Sequence, residues 1–409
     1  MEGPARTGRD KKNVRSILGS RPLLSLLSPR SSRAPADGLL PTQNSRIRLR
    51  VSILGAGAVA YGAAAFLARA GHEPLIWSPS GTRTAALAAG EPLVATNAIE
   101  GTYRVRVARS CADAVTDADV VLIALPGNGH RLAFEAAAPH VRDGQPIIIS
   151  SHASFGALYL SKLLAGRGVV APIVAWGTTL TTGRQESPTR VNVSTVRQRV
   201  DMATVPQSGL DAGDRLCNEL FGDHFTKRDG LLAIALSNLN PQNHLAIALL
   251  NLTRMERGEA WGQGENVTPA VGRLIEALDR ERLAIATAFG LRVKTVLEHF
   301  SLSFHVPLAS VSEMNQEMHR QGRGGFGPKT ADSRYVLEDV PFGLLPTIVL
   351  GRLAERPATL HEAGLALFSA AYGRDFTQDN DLLPELGLER LSAGELQRLA
   401  RAGYGRADP

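Results

Sequence analysis

The first half of the chain alternates short apolar runs with helical patterns. Val51 to Leu54 is a compact apolar run ending in glycine, and it predicts a buried strand. Residues 58–70 carry a helix pattern closed by Gly71. Further strands are predicted at Pro74 to Trp77, Val105 to Val107, Asp119 to Leu125 (ended by Pro126), Gln145 to Ser150 and Pro172 to Trp176. Strands separated by helices predict a parallel sheet with right-handed crossovers. Residues 189–206 differ. Val191 and Val193, then Met202 to Val205, alternate with polar positions across a polar linker, which predicts an antiparallel pair at the sheet edge; Phe225 adds one more strand.

From Leu231 the period changes to that of helices: 231–256, 269–289, then pieces at 291–300, 308–319, 341–355, 358–373 and 393–402. The pattern predicts an α/β domain over 48–230, mostly parallel with an antiparallel extension, followed by an all-α domain over 231–409. No internal repeat has a solenoid period.

Composition narrows the classes. A chain of 409 residues with 44% apolar and 21% charged residues fits two or three soluble domains. Its net charge of +6 is concentrated at the start: residues 1–50 carry 11 Lys and Arg against 3 Asp and Glu, leaving 34 against 36 elsewhere. Nucleic acid is therefore not an expected partner. Residues 1–47 read as a basic, disordered extension or the product of an early start codon; an Arg- and Ser-rich transit peptide is the alternative. No run of 18 apolar residues predicts a membrane span. Two distant cysteines, Cys111 and Cys217, exclude a disulfide scaffold and a cysteine-rich metal site, and a reducing cytoplasm is the expected compartment. The apolar content of the helical half permits a homodimer.

The first strand runs into Gly55-Ala-Gly57-Ala58-Val59-Ala60, the GxGxxA form of a dinucleotide fingerprint. Gly55 allows the turn, Gly57 lets backbone approach a pyrophosphate, and Ala60 lets helix and strand pack closely. The helix N-terminus then faces the phosphates with its partial positive charge. In this context the motif predicts a Rossmann domain. No carboxylate follows the second strand until Glu91. Ser78, Ser80, Thr82 and Arg83 stand there instead and suit a ribose 2′-phosphate, so NADP(H) is favoured over NAD(H).

Two polar segments interrupt the helical half. One runs from Ser237 through Asn240 and Pro241 to His244. The other runs from Ser333 through Arg334, Tyr335, Glu338 and Asp339 to Pro346. Taken alone, His244 could be a structural helical histidine, Asp339 a helix cap and Arg334 a surface residue. Together, NxNPxxH and RYxxEDVPFGLxP resemble the signature stretches of the octopine/nopaline (opine) dehydrogenases, as does Leu278-Asp279-Arg280-Glu281-Arg282. The resemblance spans about residues 50–400. It implies a His244–Asp339 dyad, with His244 as general acid and base and Asp339 fixing its tautomer. Arg334 would hold a substrate carboxylate, and Asn240 would line the same wall. On the α/β side, Pro126 and His130 follow the fourth strand and His152 the fifth, at strand ends where ligands bind in such sheets. His130 fits the family's Pro-containing loop. The Ser-Ser-His at 150–152 departs from the expected Gly-rich form, so His152 is a substrate contact or a loop residue. The implied reaction joins an amino acid amine to a 2-keto acid through an imine that NAD(P)H reduces.

A ketopantoate reductase-like 2-keto acid reductase shares this architecture but uses a lysine near the start of the helical domain; residues 228–293 contain none. A non-catalytic nucleotide-binding regulator need not keep His244, Arg334 and Asp339 together.

Overall fold

A computed structural model describes residues 48–405. The reading of residues 1–47 lies outside the described residues. Twelve short strands form two sheets: β1 (Arg50–Leu54), β2 (Glu73–Trp77), β3 (Leu93–Asn97), β4 (Gly101–Tyr103), β5 (Arg106–Val107), β6 (Val120–Ile123), β7 (Ile147–Ile149), β8 (Ile173–Trp176), β9 (Thr181–Ser187), β10 (Arg190–Val196), β11 (Val200–Val205) and β12 (Phe225–Lys227). The larger sheet has the order β12-β11-β8-β7-β6-β1-β2-β5. It is parallel from β5 to β8, and β11 joins β8 antiparallel. Strands β1, β6 and β7 are almost wholly buried, as parallel strands covered on both faces must be. Strand order reverses around β1, which has β2 on one side and β6 on the other. Such a switch point opens a crevice at the carboxyl ends of the strands.

The expected antiparallel pair at 189–206 needs correction. β11 does extend the main sheet and pairs with β12 as well. β10 instead belongs to a four-stranded sheet, β4-β3-β10-β9, and runs antiparallel to β9. Its Val191 and Val193 are buried, and Val193 lies beside Gly62 of the helix Ala58–Ala70. That helix offers an apolar face only if the second sheet covers it. β9, reading Thr-Thr-Gly-Arg-Gln-Glu-Ser, carries no apolar period and left no signal in the sequence.

After Lys227 the elements are helical. The pattern at 231–256 proves to be three helices, Gly230–Ser237, Asn240–Leu250 and Leu252–Glu256. The first break has a local cause: Asn238 Oδ1 accepts the Asn240 N–H at 3.1 Å, and Pro241 fits only a first turn. The Asp279 to Arg282 motif is structural. On the helix Pro269–Ala288, buried Arg282 donates to Asp279 Oδ1 at 2.9 and 2.7 Å, and Asp279 Oδ2 accepts the Val296 N–H at 2.9 Å. Glu281 holds the Leu360 N–H and the His361 ring at 2.8 Å each. These bonds tie two other helices, Val296–Phe304 and Thr359–Tyr372, to this one. Among the described residues no helix is long and apolar enough to cross a membrane, and no cluster of His, Cys, Asp or Glu suits a metal ion.

Candidate active site

The helix Asn240–Leu250 starts at the break just described. Asn240, half-buried in its first turn, stands one turn before His244 on the same face. A second break brings up the partner. Ser333 caps the short helix Arg334–Leu337 by accepting the Tyr335 N–H, and Val340–Leu344 then forms a π-helical turn before the helix Leu345–Leu353. The wider turn aims Asp339 inward, and π turns often stand at functional sites. His244 Nδ1 lies 2.7 Å from Asp339 Oδ2. A carboxylate only accepts, so Nδ1–H donates and Nε2 keeps its lone pair free. The two side chains keep 13% and 10% of their surface, enough for one small reactant to touch the ring.

Two residues of the motif with no role assigned from sequence hold this dyad. Tyr335 stacks on the His244 imidazole, with centroids 3.5 Å apart and planes 10° apart. Its hydroxyl donates to Gln263 Oε1 at 2.6 Å, and burial pushes that hydroxyl's pKa upward. Glu338 Oε1 accepts the Gly127 N–H at 3.2 Å, joining the dyad's segment to the loop after β6. Burial raises the Glu338 carboxyl, and Arg334, with Nε 3.6 Å from Oε2, partly offsets this. Arg334 is itself exposed. The loop after β7 docks on the π turn: Ser154 Oγ donates to Phe342 O at 2.9 Å. Ser151, Ser154 and Phe155 there have positive φ, a strained backbone that these contacts hold in place.

On the facing side, Gly55 has φ +140°, and a Cβ there would sit 2.3 Å from Ala124 O of the strand next door. Only glycine fits. At Gly57 the space is open apart from the Arg83 guanidinium, 4.0 Å from where a Cβ would stand. The helix beginning at Ala58 has no acidic residue in its first turn and no side-chain cap on its N–H groups. Ala58 and Val59 are half-buried and Ala60 is buried against the sheet. An uncapped, uncharged helix start behind a glycine turn fits a pyrophosphate. Ser78 is half-buried, and Ser80 and Arg83 are exposed beside it. Arg83 is anchored through its backbone, since its carbonyl accepts the buried Tyr61 hydroxyl at 2.6 Å. Pro126 is exposed at the end of β6.

The two remaining expected contacts, His130 and His152, lie elsewhere. His130 is wholly buried, packs on Phe134 and places Nε2 3.0 Å from Leu125 O. Burial depresses its pKa to about 4. His152 is equally enclosed, neither ring nitrogen has a partner, and burial takes it down to about 3. Both are neutral interior rings with no accessible nitrogen, so this geometry gives no support to a substrate contact by either.

Residues 227–372 match the family model described as NAD/NADP octopine/nopaline dehydrogenase, alpha-helical domain, and residues 51–207 match that of ketopantoate reductase PanE/ApbA. An octopine dehydrogenase solved with NADH and L-arginine has a TM-score of 0.69 at 16% identity, covering 86% of this chain and 98% of its own. A yersinopine dehydrogenase solved with NADP+ gives 0.63 at 16% identity, covering 84% and 99%. At these identities the likeness is one of fold. Sequence likeness goes further with the opine dehydrogenase of Arthrobacter sp. (strain 1C), which is 34% identical over 355 residues, 85% of this chain and 97% of that protein. The chain belongs to the opine dehydrogenase family.

Proposed function

We propose that this protein is an NAD(P)H-dependent oxidoreductase acting on CH–NH bonds, which condenses an amino acid amine with a 2-keto acid and reduces the resulting imine. The observation that carries this reading is the His244–Asp339 pair, held at 2.7 Å and linked through Glu338 to the loop after β6. The amine adds to the keto carbon, and His244 Nε2 takes each of the amine's two protons in turn and passes it to the keto oxygen, which departs as water. Asp339 holds Nδ1–H throughout and stabilises the imidazolium while it exists. Arg334 anchors the keto acid carboxylate, and Asn240 lines the wall one turn before His244. When bound, the reduced nicotinamide would supply the hydride to the imine carbon, and the nitrogen takes up a proton from solvent to give the secondary amine. Gly55, Gly57, Ala58, Val59, Ala60 and Pro126 form the walls that would hold it.

NADP(H) is the preferred cofactor in this reading. Arg83 stands beside the glycine turn, and Ser78 and Ser80 occupy the positions where an acidic residue would select NAD(H). A cytoplasmic enzyme with small-molecule substrates completes it. The test is nicotinamide absorbance with a keto acid, a panel of amino acids, and NADPH or NADH in parallel. Oxidation that requires both co-substrates, faster with NADPH, is the expected result; oxidation with keto acid alone overturns the condensation. The match of residues 51–207 to ketopantoate reductase makes that simple reduction the one competing outcome. It lacks the lysine that such a reductase would use near the start of the helical half.

A further inference from the structure

Tyr335 lies over His244 in a geometry unlike that of the protein's other ring pairs. The imidazole and phenol planes are 10° apart, with centroids 3.5 Å apart. Among the described residues, the remaining aromatic contacts have centroids 5.0–6.4 Å apart and planes inclined by 32–84°. Two neutral rings favour that second arrangement, because each has a negative face and a positive edge, and centred parallel faces repel. The repulsion reverses when one ring becomes a cation. An imidazolium over the face of a phenol is attracted by the same quadrupole. The stack is therefore worth least while His244 is neutral and most once Nε2 has taken a proton.

The phenol is fixed in this place and has no proton to give a reactant. Its O–H donates to Gln263 Oε1 at 2.6 Å, and burial pushes its pKa upward, so the ring stays neutral. Donating that bond leaves the oxygen richer in charge and strengthens the negative face over His244. Gln263 is held in turn. Its N–H donates to Gly325 O at 3.0 Å, and the Gly327 N–H to Trp261 O at 3.0 Å, which joins the two loops on either side of Gly262 and Phe326. Buried Trp261 donates Nε1–H to Pro328 O at 3.0 Å, and a Cβ at Gly327 would overlap its ring. At the other end, the Ser333 cap fixes the backbone of Tyr335. The phenol is thus gripped by its hydroxyl and by its backbone.

The charged groups around the imidazole leave its face to Tyr335. Asp339 meets Nδ1 at 2.7 Å, in the plane of the ring. Glu338, next to Asp339 in the chain, is shared between the Gly127 N–H and Arg334. On the helices packed against Asn240–Leu250, Asp279 is paired with Arg282, and Glu281 with the His361 ring.

We infer that Tyr335 is a positioning residue that acts as an electrostatic platform, stabilising the imidazolium of His244 from its face while Asp339 does so from its edge, and that Gln263 keeps the platform in register. The inference rests on the acid–base role given to His244 above. It adds a second source of stabilisation for the charge that exists only while the proton is in transit, the kind of interaction that speeds a reaction.

The experiment compares two full-length proteins that differ only in the charge on the ring face. Tyr335→Phe keeps the face; the same substitution made with a ring-trifluorinated phenylalanine keeps the shape and drains the face of negative charge. Nuclear magnetic resonance of isotope-labelled histidine, assigned with His244→Gln, reads the ratio of charged to neutral His244 ring at one fixed pH. Unchanged His130 and His152 resonances show that each protein is folded. We expect fluorination to lower the ratio by about 2- to 10-fold, the range of a cation over an aromatic face. In turnover, kcat/KM falls with it. Equal ratios in the two proteins, or a higher one in the fluorinated protein, would make Tyr335 a cover that only excludes water, and overturn the inference. The resonance measurement needs no turnover, so its outcome is separate from any failure of the condensation reading.

Discussion

Asp339 leaves His244 with one free nitrogen, and the pair then acts as a unit. Replacing His244 by Ala is expected to lower kcat/KM by about 10²–10⁴-fold, the range of a positioned acid–base group. Asp339→Asn should give a similar loss, and the double variant should be little worse than His244→Ala, because members of one unit are not additive. Steady-state kinetics with unchanged cofactor affinity check this; additive losses would separate the two residues. Buried histidines set a second residue-scale expectation. His130 and His299 have folded pKa values near 4 and His152 near 3, against 6.5 when unfolded. The unfolded chain therefore takes up protons first on acidification. Their contribution is complete above about pH 6.5 and is lost as pH falls toward 4. For fully buried His130 the loss is on the order of 3 kcal/mol. Denaturant unfolding should show His130→Gln losing less stability than wild type between about pH 7 and pH 4.5. Parallel losses would show that His130 is not among the groups titrating.

At the scale of elements, the dyad depends on how two helix breaks meet. Gly343 of the π turn faces Pro241 at the start of the helix Asn240–Leu250, and a Cβ there would lie 2.3 Å from Pro241 Cγ. Gly343→Ala gains helix propensity but forces the segments apart, so the clash decides. We expect a destabilisation of about 1–3 kcal/mol, with a fall in kcat as Asp339 shifts from His244. A variant of wild-type stability and rate would show that the contact yields freely. These breaks also mark the limit of sequence reading. The polar interruption at 237–244 was visible, but helical period alone runs through it; only the Asn238 side chain and Pro241 explain why one helix becomes two. Core strands such as β1, β6 and β7 were legible because burial on both faces leaves an uninterrupted apolar run. β9 and the short β4 were not, because edge strands of a small sheet need no such run.

At the scale of the molecule, the α/β and helical halves meet through Asn380, which uses all its hydrogen-bonding capacity. Its Nδ2 donates to Ser154 Oγ and Pro341 O at 2.8 Å each, and its Oδ1 accepts the N–H groups of Leu382 and Leu383 at 3.1 and 2.9 Å. Asn380→Ala strands several buried partners. It should cost about 1–3 kcal/mol and raise KM, because the loop after β7 loses its anchor to the π turn. A change in stability with unaltered KM would confine Asn380 to folding. No sequence pattern pointed to this residue, which matters through partners far away in the chain. His244, Arg334 and Asp339 were legible because they fall in two compact motifs, whereas His152 was placed by strand-end position alone and His130 by that position and the family's Pro-containing loop, neither of which says whether a side chain points to the crevice or the core.

In the reading proposed above, this site forms a carbon–nitrogen double bond and reduces it. Mass spectrometry of the product from a keto acid, an amino acid and NADPH tests it most directly. The expected product is an N-(carboxyalkyl)amino acid that disappears in His244→Ala. A 2-hydroxy acid as the sole product, formed whether or not the amine is present, would contradict it.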